Sequence, residues 1–100
     1  MSLMAVKILP LAQEDVNQAL IYIALDNPSV ADNLYSNIVR ALEQAAAFPY
    51  SAAEISIGRR YQRRYYKLYV KPYNIYYRII HDTIIVMRVL HERMDTTRHL

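Results

Sequence analysis

The chain has 100 residues, 54% hydrophobic and 21% charged, a length that suits one core and a composition that argues against intrinsic disorder. With no cysteine and one glycine, it excludes a disulfide framework, thiolate metal sites and a glycine-rich phosphate loop, and agrees with a reducing, cytoplasmic setting. The net charge of +3 hides a division: residues 1–57 carry two cations against six acids, net −4, and residues 58–100 carry ten against three, net +7, so the second half calls for an acidic or polyanionic partner.

Met1-Ser2-Leu3 reads as a cloning remnant ahead of a native start at Met4, and residues 4–100 are expected to form one domain. No apolar run approaches the roughly 18 residues of a membrane span, and no charged segment precedes an apolar one, so neither membrane insertion nor export is expected. Ala5 to Leu9 alternates and stops at Pro10, which predicts a first strand. From Leu11 to Leu25, Ala12, Val16, Ala19, Leu20 and Ile23 recur at helical spacing after a proline suited to a first helical position, and Glu14 and Asp15 fall early enough to favour the helix dipole. Asp26-Asn27-Pro28 ends that helix and caps the next, whose stripe of Ala31, Leu34, Tyr35, Ile38, Ala41, Leu42 and Ala45 runs to about Phe48 before Pro49. So tight a link predicts an antiparallel helical hairpin.

Tyr50 to Gly58 holds the only glycine and reads as a loop. Beyond it the period becomes two. Tyr66, Leu68 and Val70 oppose Tyr65, Lys67, Tyr69 and Lys71; Lys71-Pro72-Tyr73-Asn74 turns; Ile75, Tyr77 and Ile79 alternate with Asn74, Tyr76 and Arg78; and His81-Asp82 leads into Thr83 to Leu90. Three strands with short links predict an antiparallel meander. The expected fold is therefore α+β, in the order β-α-α-β-β-β, with the hairpin packed on one face of a small antiparallel sheet.

The stretch Arg59-Arg60-Tyr61-Gln62-Arg63-Arg64-Tyr65-Tyr66-Lys67 interleaves cations with rings. Cations attract phosphates and carboxylates while rings offer stacking planes, a mixture that suits single-stranded RNA or an acidic peptide. It equally suits a solvated edge strand defended by charge, its tyrosines present as strand formers. Arg78 and Arg88 sit inside predicted strands and are expected on the concave face away from the hairpin. His91 ends the last strand beside Glu92 and Arg93, where it is either a surface residue or a general acid–base. The three histidines are too dispersed to suggest a metal site, and no cofactor is expected.

Asp26-Asn27-Pro28, Phe48-Pro49, Tyr76-Tyr77-Arg78 and, most specifically, the block Arg88-Val89-Leu90-His91-x-x-Met94-Asp95-x-x-x-His99-Leu100 resemble the ParE branch of the RelE/ParE toxin superfamily. The resemblance implies the same hairpin-on-sheet fold, a role in plasmid stabilisation, neutralisation by a cognate antitoxin, operator DNA contacted only through that antitoxin, and growth arrest by inhibition of DNA gyrase when the toxin is free. RelE-type relatives are instead implied to cut mRNA on the ribosome without a metal, using Lys and Arg on the sheet. Carried onto this chain, that alternative rests on Lys67, Arg78, His91 and Arg93. Tyr65 stands where a companion cation is expected, Asn74 follows Tyr73 in place of an arginine, and either Arg93 or Met94 occupies a further expected arginine position. Missing cations weaken transition-state stabilisation, which moves the expectation from RNA cleavage toward non-catalytic binding of a protein target. The residues expected to meet target or antitoxin are Arg59, Arg60, Arg63, Arg64, Tyr65, Lys67, Arg78, Arg88, His91, Arg93, Met94 and His99. An amphipathic antitoxin segment would seek apolar area beside cations, with the hairpin grooves and the Tyr/Arg sheet face both open as sites.

Overall fold

Local chemistry sets the boundaries of the elements in the computed structural model, which describes residues 3–57, 63–94 and 99–100. They follow in the order β1 (Ala5–Ile8), α1 (Pro10–Asp26), α2 (Pro28–Ala47), β2 (Ala53–Ile57), β3 (Arg63–Val70), β4 (Tyr73–Ile80) and β5 (Thr83–His91). Pro10 opens α1, where its missing N–H removes a donor that would have had no partner. Asn27 closes α1 and caps α2 as its sequence position implies: its side-chain oxygen accepts the Ser29 and Val30 N–H groups at 3.1 and 3.3 Å. Glu14 and Asp15, by contrast, lie beyond the first turn of α1, where the dipole is weak. Asp15 has a different task, described below.

The meander of β3, β4 and β5 forms as its period predicts, and His81 and Asp82 close the second hairpin with φ of 49° and 57°. Two-residue hairpin turns of this hand require positive φ at both positions, which Asp and His tolerate better than bulkier residues. Two features of the sheet depart from the sequence expectation. Ala53–Ile57 is a strand, antiparallel to β3, rather than loop; its alternation of Ala53 and Ile55 with Glu54 and Ser56 is a strand signal that the neighbouring Pro49, Ser51 and Gly58 obscure. The sheet is also mixed rather than wholly antiparallel, because β1 lies parallel to β5 at one edge, giving the order β1-β5-β4-β3-β2. The helical hairpin carries the chain from β1 to β2 at the opposite edge, and the three further strands return it to set β5 parallel to β1.

Packing gives the two sheet faces different covers. On one face Tyr66, Val70, Ile75, Tyr77, Ile84, Val86 and Val89 meet Ala12, Leu34, Ile38 and Ala45 of the hairpin in the main core. Tyr66 and Tyr77 stack there with centroids 5.3 Å apart, and the Tyr77 hydroxyl donates to the Pro49 carbonyl at 2.7 Å. Burial, and then the neighbouring Tyr66, push the Tyr77 phenol up to about 12. Tyr35, expected on the buried stripe of α2, is instead 49% exposed. On the opposite face Tyr65, Tyr76 and Leu90 form a smaller cluster, against which Ile55, Met87 and the C-terminal Leu100 pack. No helix among the described residues is long and apolar enough to cross a membrane.

Candidate functional site

Strand alternation, read through the pairing register, places the cations. Arg63, Tyr65 and Lys67 fall on the face away from the hairpin, with Lys67 across from Tyr76 on β4. Arg78 shares this face: its guanidinium lies 5.9 Å from the Tyr65 ring centroid, within cation–π range. Its Nε is buried and has no hydrogen-bond partner among the described residues. Lys7 joins the same face through β1, since it pairs with Ile85, which pairs in turn with Arg78. The sequence alone does not place Lys7 there, because only the parallel β1–β5 pairing brings it alongside. Of the residues in the five described strands only Glu54 is acidic, and it stands on the hairpin side, bonded to Arg64 at 2.8 Å. Lys7, Arg63, Lys67 and Arg78 thus form a cationic strip on which the strands place no carboxylate.

Other candidate residues fall elsewhere. Arg64 points to the hairpin side and is consumed by the exposed pair with Glu54. Tyr65 is 2% exposed and is therefore a packed residue rather than an open stacking plane for a base. Arg59 and Arg60 lie outside the described residues. Arg88 borders the face away from the hairpin, where it pairs with Tyr76 and lines a hollow of about 300 Å³ with Arg63, Tyr65, Met87 and Leu100. In the β4–β5 register Tyr76 pairs with Arg88 and Tyr77 with Val86, which leaves Met87 as an extra residue. Such a bulge re-aims its neighbours. Here it leaves Arg88 on the face of Tyr76 and Leu90, from which its guanidinium reaches α1: Nε and Nη2 each donate to an Asp15 carboxylate oxygen at 2.8 Å. Asp15 Oδ2 also accepts the Val89 N–H at 3.0 Å. The side chains of Arg88 and Asp15 are only 16% and 14% exposed, and the hydrogen bond to Asp15 raises the Arg88 pKa against the opposing pull of burial. Arg88 Nη1 reaches the His99 carbonyl at 3.3 Å, so this pair ties α1, β5 and the chain end together. Asp15 is a residue that the sequence reading missed; nothing local marks a partner 73 positions away.

His91 is on the hairpin side, with Val89. Its ring meets Tyr73 edge-on at 5.4 Å, and its Nδ1 accepts the Arg93 N–H at 3.1 Å. It borders a hollow of about 330 Å³ with Tyr22, Tyr73 and Met94, in which burial, followed by the nearby Tyr22, raises the Tyr73 phenol. Arg93 and Met94 are exposed in the turn after β5. The sheet therefore stands between His91 and the pair Lys67 and Arg78. The arrangement offers a charged, partly apolar face on one side and a small aromatic hollow on the other.

Comparison with known proteins places this geometry. No curated protein matches the chain. Among solved structures, it is similar to a chain of the chromosomal ParDE toxin-antitoxin system from P. aeruginosa, with TM-score 0.68 and 17% identity over 89% of this chain and 96% of that one. It is also similar to a chain of the RelBE2 toxin-antitoxin complex from Mycobacterium tuberculosis, with TM-score 0.61 and 18% identity over 89% and 98% of the two chains. At such identities the likeness establishes the fold alone. The family assignment comes from the profile described as ParE toxin of type II toxin-antitoxin system, parDE, which matches residues 6–96, and the chain belongs to that family of toxins.

Proposed function

We propose that this toxin is held inactive by an acidic segment of a cognate antitoxin seated on the cationic sheet face, and that the freed toxin arrests growth by inhibiting DNA gyrase without catalysing a reaction. The observation that carries the non-enzymatic reading is the separation of the groups a ribonuclease would need: Lys67 and Arg78 share one face while His91 is on the other. A general acid–base must lie within hydrogen-bond reach of the same reacting atoms that the cations stabilise. Inhibition of a protein target needs no such convergence. The solved ParDE and RelBE systems with this fold support an antitoxin partner, and the strip of Lys7, Arg63, Lys67 and Arg78 suits the acidic character proposed for it. A gyrase target puts the toxin in the cytoplasm. The test is supercoiling by purified gyrase with and without the toxin; dose-dependent inhibition is expected, and full activity at high toxin excess removes the gyrase assignment.

The same strip gives one reason to keep ribosome-dependent mRNA cleavage as a second reading, because a cationic face also suits a phosphate backbone. Codon-resolved cleavage on programmed ribosomes decides it. Cleavage that survives His91→Ala and Arg93→Ala would take those two residues out of any such mechanism.

A further inference from the structure

The last two turns of α1 run Leu20-Ile21-Tyr22-Ile23-Ala24-Leu25 without a polar residue. A helix segment that is apolar all round is normally buried all round. Here only one side meets the core, through Leu20 and Ile23. Ile21, Tyr22 and Leu25 remain 58%, 77% and 83% exposed, and across the interhelix turn Val30 and Tyr35 are 48% and 49% exposed. These are not scattered surface residues. Ile21 and Tyr35 border one hollow of about 600 Å³, and Tyr22, Leu25 and Val30 border a second of about 580 Å³ at the same end of the hairpin. Contiguous apolar surface of this kind marks an interaction site.

Charge selects the occupant. Asp32 borders the first hollow and Asp26 the second. The hairpin's one cation is Arg40, eight residues beyond Asp32 and so roughly 12 Å further along α2. The tip is thus apolar and acidic, the reverse of the sheet face. An acidic antitoxin segment is repelled here. A second copy docking tip to tip would bring four carboxylates together with no tip cation to offset them.

We propose that the tip of the helical hairpin is a second docking surface, which takes a basic amphipathic helix from a protein partner. Its apolar stripe fills the two hollows, and its flanking Lys or Arg side chains meet Asp26 and Asp32. This site is independent of the gyrase and antitoxin reading, and an acidic segment on the sheet leaves it free.

The test uses the full chain and two dye-labelled synthetic helices of one apolar pattern, one built from Leu and Lys and the other from Leu and Glu, followed by fluorescence anisotropy. The Leu/Lys helix is expected to bind although the chain's net charge of +3 opposes it. Ile21→Ser with Leu25→Ser, and separately Asp26→Lys with Asp32→Lys, should each weaken it roughly tenfold or more. Arg63→Glu with Lys67→Glu should leave it bound, which separates the tip from the sheet face. Urea titration confirms that the tip variants fold. Absence of Leu/Lys binding, or binding indifferent to both tip variants, overturns the proposal. So does self-association in sedimentation that the tip variants abolish, which would give the surface to a second copy. None of these results bears on gyrase inhibition, so the two readings fail separately.

Discussion

On the hairpin side of the sheet, Tyr66, Ile75, Tyr77, Ile84, Val86 and Val89 lie in a continuous core, whereas among the described residues of the far side Tyr65, Tyr76 and Leu90 form a smaller cluster on which Ile55, Met87 and Leu100 pack. Tyr65 and Tyr66 are adjacent in the chain and chemically identical. Strand alternation sends one beside Arg78 and the other into a stack with Tyr77. Among the described residues one face therefore holds most of the buried apolar core, and the other carries Lys7, Arg63, Lys67 and Arg78 with no carboxylate from the described strands.

Removing the Tyr77 ring is the strongest way to break this division. Tyr77→Ala should cost about 3–5 kcal/mol in urea unfolding, the usual range for a buried aromatic. Tyr77→Phe keeps the packing and loses only the bond to Pro49, about 1 kcal/mol. It also has a pH signature. The folded phenol stays neutral to about 12 while the unfolded one ionises near 10, so the contribution is complete below pH 10 and is lost as pH rises through 12. The phenylalanine variant should lose less stability over that window.

Asp15→Ala comes next, at roughly 2–4 kcal/mol, because it leaves the Arg88 guanidinium and the Val89 N–H without their partner in a mostly buried position. Removal of Leu100 acts on the face away from the hairpin. It should cost only about 1 kcal/mol and expose Tyr65 and Tyr76, seen as faster iodide quenching of tyrosine fluorescence. Arg64→Ala should fall within about 0.5 kcal/mol of the parent, since its pair with Glu54 is 69% and 47% exposed. A large effect there would mean that the hairpin-side charges are more than a solvated rim.

The fold was largely legible because its signals are local. Pro10, Asn27-Pro28 and Pro49 punctuate the helices, and the switch from helical to alternating period marks β3 onward. Ala53–Ile57 escaped because five residues of alternation sit among turn formers, and the parallel β1–β5 pair escaped because no local pattern encodes which distant strand will be a neighbour. The site was legible in part for the same reason. Period two puts Arg63, Lys67 and Arg78 on one face, but the bond from Arg88 to Asp15 joins residues 73 positions apart that no local pattern links. His91 ends up on the hairpin side because the extra residue Met87 shifts the alternation of β5, and a bulge has no reliable mark in sequence.

The central claim is that toxicity comes from binding gyrase and not from a catalytic histidine, and supercoiling by purified gyrase, titrated in parallel with the parent chain and with His91→Ala, tests it most directly. Both proteins are expected to inhibit to a similar extent. Uninhibited gyrase, together with ribosome-dependent mRNA cleavage that His91→Ala abolishes, would contradict it.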